Sequence, residues 1–208
     1  MLQTILIASH NPAKVQRYGR LLTSFAHQVI GLREAGIASK PREHGETAEE
    51  NAAIKARFYA DLSGLPAFSE DESLFVDFLP PHRQPGVHVR RINGQEDASD
   101  DQMLAYWETI LPFVPESQRT GCWHVACCLA LPGGVLHTIA VDYPARFFSP
   151  SSPARIPGWP MSSLQGPAGF GRPLSELSAE ERRLSDLHAD EIILARMQQF
   201  STRDEISK

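Results

Sequence analysis

Residues 4–14 read TILIASHNPAK, and this stretch decides the kind of fold. Its first half is a short run of apolar and β-branched residues, which is typical of a buried strand. Asn11 is a favoured helix-capping residue, and Pro12 suits the first position of a helix. Apolar residues then recur at helical spacing as far as residue 25. The sequence therefore predicts a strand, a tight loop and a helix N-terminus in immediate succession.

The rest of the chain continues this alternation of short apolar runs and helical spacing. Gly64 is predicted to end one helix, and Pro132-Gly133-Gly134 is predicted to form a hairpin turn. Residues 149–171 are rich in Pro, Gly and Ser and are predicted to be loop. Beyond the first helix, we predict helices at 47–63, 99–110 and 179–200 and strands at 29–32, 65–68, 123–131 and 135–148. Residues 87–92 are also predicted to be extended.

Length, charge and cysteine content limit the functional classes. The chain has 208 residues, which suits one compact α/β domain over residues 1–208, with a flexible tail at 201–208. A formal net charge of -5 argues against nucleic acid or an anionic membrane as a partner. No apolar run could span a bilayer, and no basic segment precedes the first one, so we expect neither an anchor nor a signal peptide. The three cysteines are predicted to be reduced thiols in a cytoplasmic protein.

The loop Ser9-His10-Asn11-Pro12-Ala13-Lys14 is the first candidate site. A helix N-terminus offers unpaired backbone N–H groups and a partial positive charge, which suit a phosphate. Ser9 and Asn11 add polar side chains, and Lys14 adds a full charge one turn into the helix. An ordinary helix cap beside a solvated lysine explains the same residues, and this loop taken alone favours that simpler interpretation.

The segment Thr47-Ala48-Glu49-Glu50-Asn51, with Lys55 beyond it, is the second candidate. As a functional site, it would use Glu50 as a metal ligand and Lys55 as a phosphate contact. Thr47 and Glu50 also have the spacing of a capping box, which requires no ligand. The two interpretations are about equally supported by this segment alone.

The acidic run Glu70-Asp71-Glu72 is the third candidate, predicted at the end of a strand. Carboxylates clustered there can hold Mg²⁺ through their oxygens, and one of them can activate a water molecule. A solvated acidic turn is the commoner explanation of a charge run. Apolar segments flank this run closely on both sides, at 65–68 and 74–79, which places the acids at the edge of the core.

Taken in order and spacing, these segments resemble the inosine triphosphate pyrophosphatase family. The first loop matches that family's Thr/Ser-x-Asn-x-x-Lys motif, and residues 50–56 match its E-N-A-x-x-K-A helix. Its Gly-Leu-Pro strand leads into Asp-Asp-Ser-Gly-Leu-x-Val-Asp, which corresponds to residues 64–77. Its Pro-Gly-Val, with an arginine five residues after the glycine, corresponds to residues 85–87 and Arg91. The match is dense over residues 4–92.

The C-terminal half departs from the same family. Its Gly-Phe-Gly-Tyr-Asp-Pro stretch keeps only residues 169–171, because Arg172-Pro173 stands where Tyr-Asp would follow. Its Glu-Glu-Lys becomes Glu180-Glu181-Arg182, and its Ser-His-Arg becomes Ser185-Asp186-Leu187. In the family, these C-terminal pieces hold the base and part of the triphosphate. The hydrolytic residues are therefore present, while the base pocket is rewritten.

The resemblance implies a Mg²⁺-dependent enzyme that hydrolyses a nucleoside triphosphate to a monophosphate and pyrophosphate, as a cytoplasmic homodimer. The fold it implies is α/β, with a long mixed central sheet flanked by helices and two lobes with a cleft between them. An altered base preference is expected, and a catalytically weak nucleotide-binding or regulatory homologue remains an alternative. Asp71 would be the catalytic residue, and Glu50, Asp71 and Glu70 would hold the metal. The substrate would be bound by Ser9, Asn11, Lys14, Lys55, Arg91, Phe170, Arg182 and Ser185.

Overall fold

The structure, a computed structural model, describes residues 2–201. Within this range the chain forms a six-stranded sheet of order β2-β1-β3-β4-β5-β6, together with four α-helices and several short 3₁₀ turns. The strands are β1 (Leu2–Ile7), β2 (Ala26–Gly31), β3 (Ala67–Val76), β4 (Thr120–Ala130), β5 (Leu136–Phe147) and β6 (Gln165–Pro167). The α-helices are α1 (Pro12–Leu22), α2 (Ala48–Ser63), α3 (Asp100–Glu108) and α4 (Ala179–Ser201). Apart from its first residue, the predicted tail at 201–208 lies outside the described residues.

The opening strand, loop and helix form as the sequence predicts. Asn11 caps α1, because its side-chain oxygen accepts a hydrogen bond from the Ala13 amide at 2.9 Å. Strand β1 pairs in parallel with both β2 and β3, so the chain must cross back after each strand. Helix α1 makes the first crossing and α2 makes the second. Since β5 pairs with β6 in antiparallel fashion, the sheet is mixed, and the predicted α/β class is confirmed.

Helix α2 begins and ends at the predicted residues. Thr47 and Glu50 form a complete capping box at its start. Gly64 ends the helix with a left-handed backbone conformation (φ of 69°) and donates its N–H to the Ala60 carbonyl, a conformation that glycine adopts at little cost. Ala52, Ala56 and Ala60 are fully buried. Together they form a small-residue face that lets α2 approach the sheet closely.

The predicted hairpin is also present. Leu131 donates its N–H to the Val135 carbonyl at 2.9 Å across the turn that joins β4 to β5. All three cysteines are free thiols, as predicted. Cys127 contacts the Tyr18 hydroxyl on one side of β4, while its neighbour Cys128 accepts a hydrogen bond from Thr138. The two adjacent thiols therefore have separate environments and cannot share one ligand.

Two predictions about local structure are wrong. The acidic run was predicted at the end of a short strand, but β3 continues through residues 70–72 to Val76. It can do so because lysines from neighbouring helices neutralise the acids inside the strand. Residues 87–92 form turns with a single bridge between Ile92 and Gln95, and not a strand.

The described chain divides into two compact units, in agreement with the predicted two lobes, while a single domain over residues 1–208 stays a prediction. The first unit comprises the residues up to 72, residues 125–141 and the residues from 188 onward; the second comprises 73–124 and 142–187. In the second unit, Trp107 is fully buried and stacks on Phe147. No helix within residues 2–201 has both the length and the apolar character that crossing a membrane requires.

Candidate functional site

Strand β3 presents alternate side chains to two different helices of the first unit. Successive residues of a strand point to opposite sides, so Phe68, Glu70 and Glu72 share one side while Ser69 and Asp71 share the other. The Phe68 ring packs on Tyr18 of α1, with ring centroids 5.2 Å apart. The Ser69 hydroxyl donates to the Ala52 carbonyl of α2 at 2.5 Å. The acidic run therefore faces α1 with two carboxylates and α2 with one.

Lys14 meets the two carboxylates on the α1 side. Its Nζ lies 2.8 Å from Glu70 Oε2 and 3.7 Å from Glu72 Oε1. The side chains of Lys14 and Glu70 are 14% and 4% exposed, so this is a buried ion pair. Glu70 Oε2 has no other partner in the described part of the chain, and its contact with Lys14 is a close ion pair without the angles of a directed hydrogen bond. Burial alone would lower the pKa of Lys14, but the carboxylates of Glu70 and Glu72 raise it above its ordinary value.

Lys55 meets the carboxylate on the α2 side. Its Nζ lies 2.6 Å from Asp71 Oδ1 and 3.1 Å from Glu43 Oε2. Glu43 was not among the residues singled out from the sequence. Glu43 lies in an irregular loop, so no helical or strand periodicity relates it to Lys55. The only signal in the sequence is its acidic side chain, a few positions before the capping box of α2. Each candidate lysine is therefore held by two carboxylates.

The acidic groups outnumber the basic ones in this lysine–carboxylate cluster, which comprises Lys14, Glu43, Lys55, Glu70, Asp71 and Glu72. Four carboxylates and two ammonium groups leave a formal charge of −2 when all are ionised. Burial raises the pKa of Asp71, although Lys55 opposes the change. Burial also raises the pKa of Glu72 to about 7, with Lys14 opposing it, even though 34% of the Glu72 side chain is exposed. The cluster therefore carries negative charge that its two lysines do not neutralise, at a position with limited access to solvent.

The loop between β1 and α1 is ordered by its own polar side chains. Ser9 Oγ accepts from the Asn11 amide at 3.1 Å, and the Asn11 side chain caps the helix. This arrangement fixes the N-terminal end of α1, on which Lys14 lies. Three of the predicted phosphate-binding residues, Ser9, Asn11 and Lys14, are thus on one short segment whose helix carries Lys14 to Glu70.

The loop that carries Glu43 is tied to the rest of the first unit. The Ser39 carbonyl accepts a hydrogen bond from the Tyr59 hydroxyl at 3.0 Å and lies 3.3 Å from His10 Nε2. Farther along the loop, Gly45 donates its N–H to Asn51 Oδ1 at 2.8 Å, and the Asn51 side chain is buried. These contacts hold the loop on α2 and keep Glu43 within reach of Lys55.

Glu50 takes part in the capping box. Its Oε2 accepts from the backbone amides of Glu46 at 2.6 Å and Thr47 at 3.3 Å, and the Thr47 hydroxyl accepts from the Glu50 amide. Between residues 2 and 201, no three Asp, Glu, His or Cys side chains converge as a ready-made metal cage. The structure thus pairs Glu70 with Lys14 and Asp71 with Lys55 on opposite sides of β3, whereas one oxygen of Glu50 is engaged by the helix terminus.

The remaining predicted substrate residues belong to the second unit. Arg91 pairs with Glu96 at the surface, with Nε and Oε2 2.9 Å apart. The Ser185 hydroxyl donates to the Arg182 carbonyl at 2.7 Å within α4, and Phe170 is half-buried. The predicted phosphate-binding residues therefore lie in the first unit. The other four predicted substrate residues lie in the second unit: Arg91, Phe170, Arg182 and Ser185.

Comparison with known proteins identifies the family. The sequence model of the Ham1 family matches residues 5–149, which is more than half of the chain. The chain belongs to the Ham1 family. This match includes the loop at Ser9, the start of α2, the acidic run and Arg91, and it confirms the family resemblance read from the motifs. It ends before Phe170, Arg182 and Ser185.

Individual relatives of this Ham1 family member carry a more specific description. It is 32% identical over 183 residues to a protein from Mesorhizobium japonicum named dITP/XTP pyrophosphatase, covering 86% of this chain and 81% of that one. A protein of the same name from Vibrio parahaemolyticus is 38% identical over 130 residues, which is 62% of each chain. The match to the Vibrio protein thus spans less than two thirds of either protein.

A solved structure extends the similarity to nearly the whole chain. The crystal structure described as a nucleoside-triphosphatase / dITP/XTP pyrophosphatase from Mycobacterium abscessus superposes with a TM-score of 0.68 at 27% identity. The alignment covers 93% of this Ham1 family member and 98% of that chain. The fold therefore matches that structure beyond the point at which the family sequence match ends.

The double use of Glu50 gives a direct test of its role. Glu50→Gln should keep the melting temperature, because a glutamine oxygen can accept the same backbone N–H groups, whereas Glu50→Ala should lose about 1 kcal/mol of stability. The cap uses Oε2, so the other oxygen is available to a metal, and we expect Glu50→Gln to weaken Mg²⁺ binding. Thermal melts and a magnesium titration by calorimetry measure the two effects. Glu46→Gln, at an exposed neighbouring residue, is the matched control. Unchanged Mg²⁺ binding in Glu50→Gln would mean that Glu50 only caps the helix.

Proposed function

We propose that this chain hydrolyses a nucleoside triphosphate at the α-phosphorus, giving a nucleoside monophosphate and pyrophosphate, with Mg²⁺ as cofactor. The observation that carries the proposal is the lysine–carboxylate cluster, in which two largely buried lysines from different helices each contact two carboxylates. The names of the relatives, dITP/XTP pyrophosphatase, support the same reaction class. The resemblance also supports a homodimer in the cytoplasm as part of this proposal.

The charges of the cluster suit a triphosphate that arrives with a divalent cation. A triphosphate carries several negative charges, and phosphoryl chemistry depends mainly on positioning and charge neutralisation. The excess charge of −2 and the all-oxygen donor set of the carboxylates fit Mg²⁺, which commonly uses one or two carboxylates together with substrate phosphates. Asp71, Glu70 and Glu50 would hold the ion, and Glu43 joins them as a candidate because it shares Lys55 with Asp71. When bound, the ion would supply positive charge against the phosphate oxygens.

The lysines and Asp71 would perform the steps that the protein contributes. Lys14 and Lys55 would exchange carboxylate oxygens for phosphate oxygens, while the positive N-terminal end of α1 and the side chains of Ser9 and Asn11 would attract the same group. Asp71 would orient a water molecule and accept its proton as the water oxygen bonds to the α-phosphorus. The bond from that phosphorus to the bridging oxygen breaks, and the electron pair leaves with pyrophosphate.

Base recognition is proposed to differ from that of ITP- and XTP-selective relatives. Arg172, which stands where the family motif has tyrosine, forms an ion pair with Glu181. The Ser185 hydroxyl donates a hydrogen bond to the Arg182 carbonyl of its own helix, α4. Phe170 would offer a stacking surface, which accepts any base, and Arg91 and Arg182 would contact the substrate. The same rewritten residues favour the second candidate function, a nucleotide-binding homologue with weak turnover.

We expect pyrophosphate, and not orthophosphate, to be the inorganic product from a nucleoside triphosphate in the presence of Mg²⁺. Chromatography of the nucleotide products, combined with separate assays for the two inorganic ions, measures this outcome. EDTA should abolish the reaction because the lysines alone cannot neutralise both the triphosphate and the carboxylates. Nucleoside diphosphate with orthophosphate would overturn the assigned bond, and tight nucleotide binding without turnover would favour the regulatory homologue.

We expect at most a weak preference for ITP and XTP over ATP and GTP. A site that hydrogen-bonds one base edge rejects other bases strongly because its buried polar groups are left unpaired, and here the matching groups are replaced or engaged elsewhere. Comparison of kcat/KM for the four nucleotides tests the point. A preference of about a hundredfold for ITP, equivalent to about 2.7 kcal/mol, would mean that other residues rebuild the selective contacts.

Asp71→Asn should leave the fold intact and reduce kcat by on the order of 10²-fold or more. The carboxamide is nearly the same size, but it cannot accept the proton and is a poorer ligand for Mg²⁺. Steady-state kinetics and a thermal melt separate loss of turnover from loss of folding. Asp61→Asn, an exposed residue on α2, is the matched control. A folded Asp71→Asn protein with near wild-type turnover would exclude Asp71 as the base.

A further inference from the structure

Glu72 differs from the other carboxylates of the lysine–carboxylate cluster in how much the fold depends on it. Glu70 is almost fully buried and needs the Lys14 ammonium, since a buried charge without a partner is costly. Glu72 lies farther from Lys14, at 3.7 Å, and a third of its side chain is exposed. Removing the Glu72 charge therefore leaves no buried charge unpaired, whereas Lys14 loses one of its two negative neighbours.

The position of Glu72 follows from the strand. Because Glu70 and Glu72 are two residues apart in β3, both point toward α1 and both contact the same ammonium. In the family motif Asp-Asp-Ser-Gly-Leu, the position that corresponds to Glu72 holds an uncharged serine. This chain thus places one additional negative charge beside the lysine at the N-terminal end of α1.

We propose that Glu72 is a positioning residue that lowers the affinity of the phosphate site by drawing the Lys14 ammonium away from incoming phosphate oxygens. The inference rests on the proposed function, in which Lys14 binds the polyphosphate. An anion that approaches Lys14 must compete with both carboxylates, and it is repelled by the exposed one. The consequence is weaker binding of substrate and faster release of pyrophosphate than a serine at this position would permit.

The charge of Glu72, and not its size, should control this effect. Glu72→Gln keeps the volume and removes the charge, Glu72→Ser removes both, and Glu72→Asp keeps the charge. We therefore expect the first two variants to bind polyphosphates more tightly and the third to resemble the wild-type protein. Since the Glu72 carboxylate is partly exposed, added salt should screen its field and reduce the difference between variants.

The test is calorimetric binding of inorganic pyrophosphate to the full chain in the presence of Mg²⁺. Glu72→Gln and Glu72→Ser should lower the Kd by on the order of tenfold, equivalent to about 1.4 kcal/mol. In steady-state assays with Mg²⁺, KM for the triphosphate should fall while kcat does not rise. Glu46→Gln, which removes one exposed acidic charge from the same unit, should change neither value.

The possible results separate this inference from the proposed function. If the wild-type chain hydrolyses triphosphates and binds pyrophosphate, but Glu72→Gln binds it with unchanged or weaker affinity, the inference about Glu72 is wrong and the function stands. If the wild-type chain neither hydrolyses triphosphates nor binds pyrophosphate, both are wrong. A tighter Glu72→Ser variant beside an unchanged Glu72→Gln variant would assign the effect to volume and would also contradict the inference.

Discussion

The structure depends on the neutralisation of three consecutive carboxylates in the middle of strand β3. A buried charge is tolerated only when it is paired, and strand geometry sends neighbouring side chains to opposite sides, so one lysine cannot serve all three. Lys14 reaches Glu70 and Glu72 from α1, and Lys55 reaches Asp71 from α2. Both helices must therefore dock with their N-terminal halves beside the acidic run. The chain can extend β3 through these acids only because the helices of the two crossovers that precede it in sequence bring a lysine to each side of the strand.

The same ion pairs provide the chemistry proposed for this family member. The lysines that stabilise the buried acids are the cations that a polyphosphate would need, and the acids that hold the lysines are the oxygen ligands that a divalent cation would need. Arrival of a metal–triphosphate complex would therefore exchange partners within one set of charges. The excess of carboxylates over lysines makes a cation part of that exchange, since without one the phosphates and the acids would compete for Lys14 and Lys55. Stability without ligand and binding of ligand thus use the same few side chains.

Local signals in the sequence predicted much of this arrangement, and long-range contacts account for what they missed. The cap at Asn11, the capping box at Thr47 and the helix end at Gly64 each depend on residues within one turn, so their spacing was sufficient. The acidic run was misplaced at a strand end because charge normally interrupts an apolar strand, and no local pattern reveals that lysines from two helices will neutralise it. Glu43 was missed for a related reason, since its partnership with Lys55 depends on a loop held by Tyr59 and Asn51.

The division of candidate residues between two units would separate the proposed hydrolysis from the proposed base selection. The lysine–carboxylate cluster lies wholly in the first unit, and the family sequence match covers the whole of it. Phe170, Arg182 and Ser185 lie in the second unit and beyond that match. Changes such as Arg172 pairing with Glu181 alter no member of the cluster, so they leave its charge balance unaffected. Under the proposed function, a chain organised in this way would change the base that it reads while keeping the charges proposed to act on the phosphate, because the two proposed tasks depend on contacts that share no side chain.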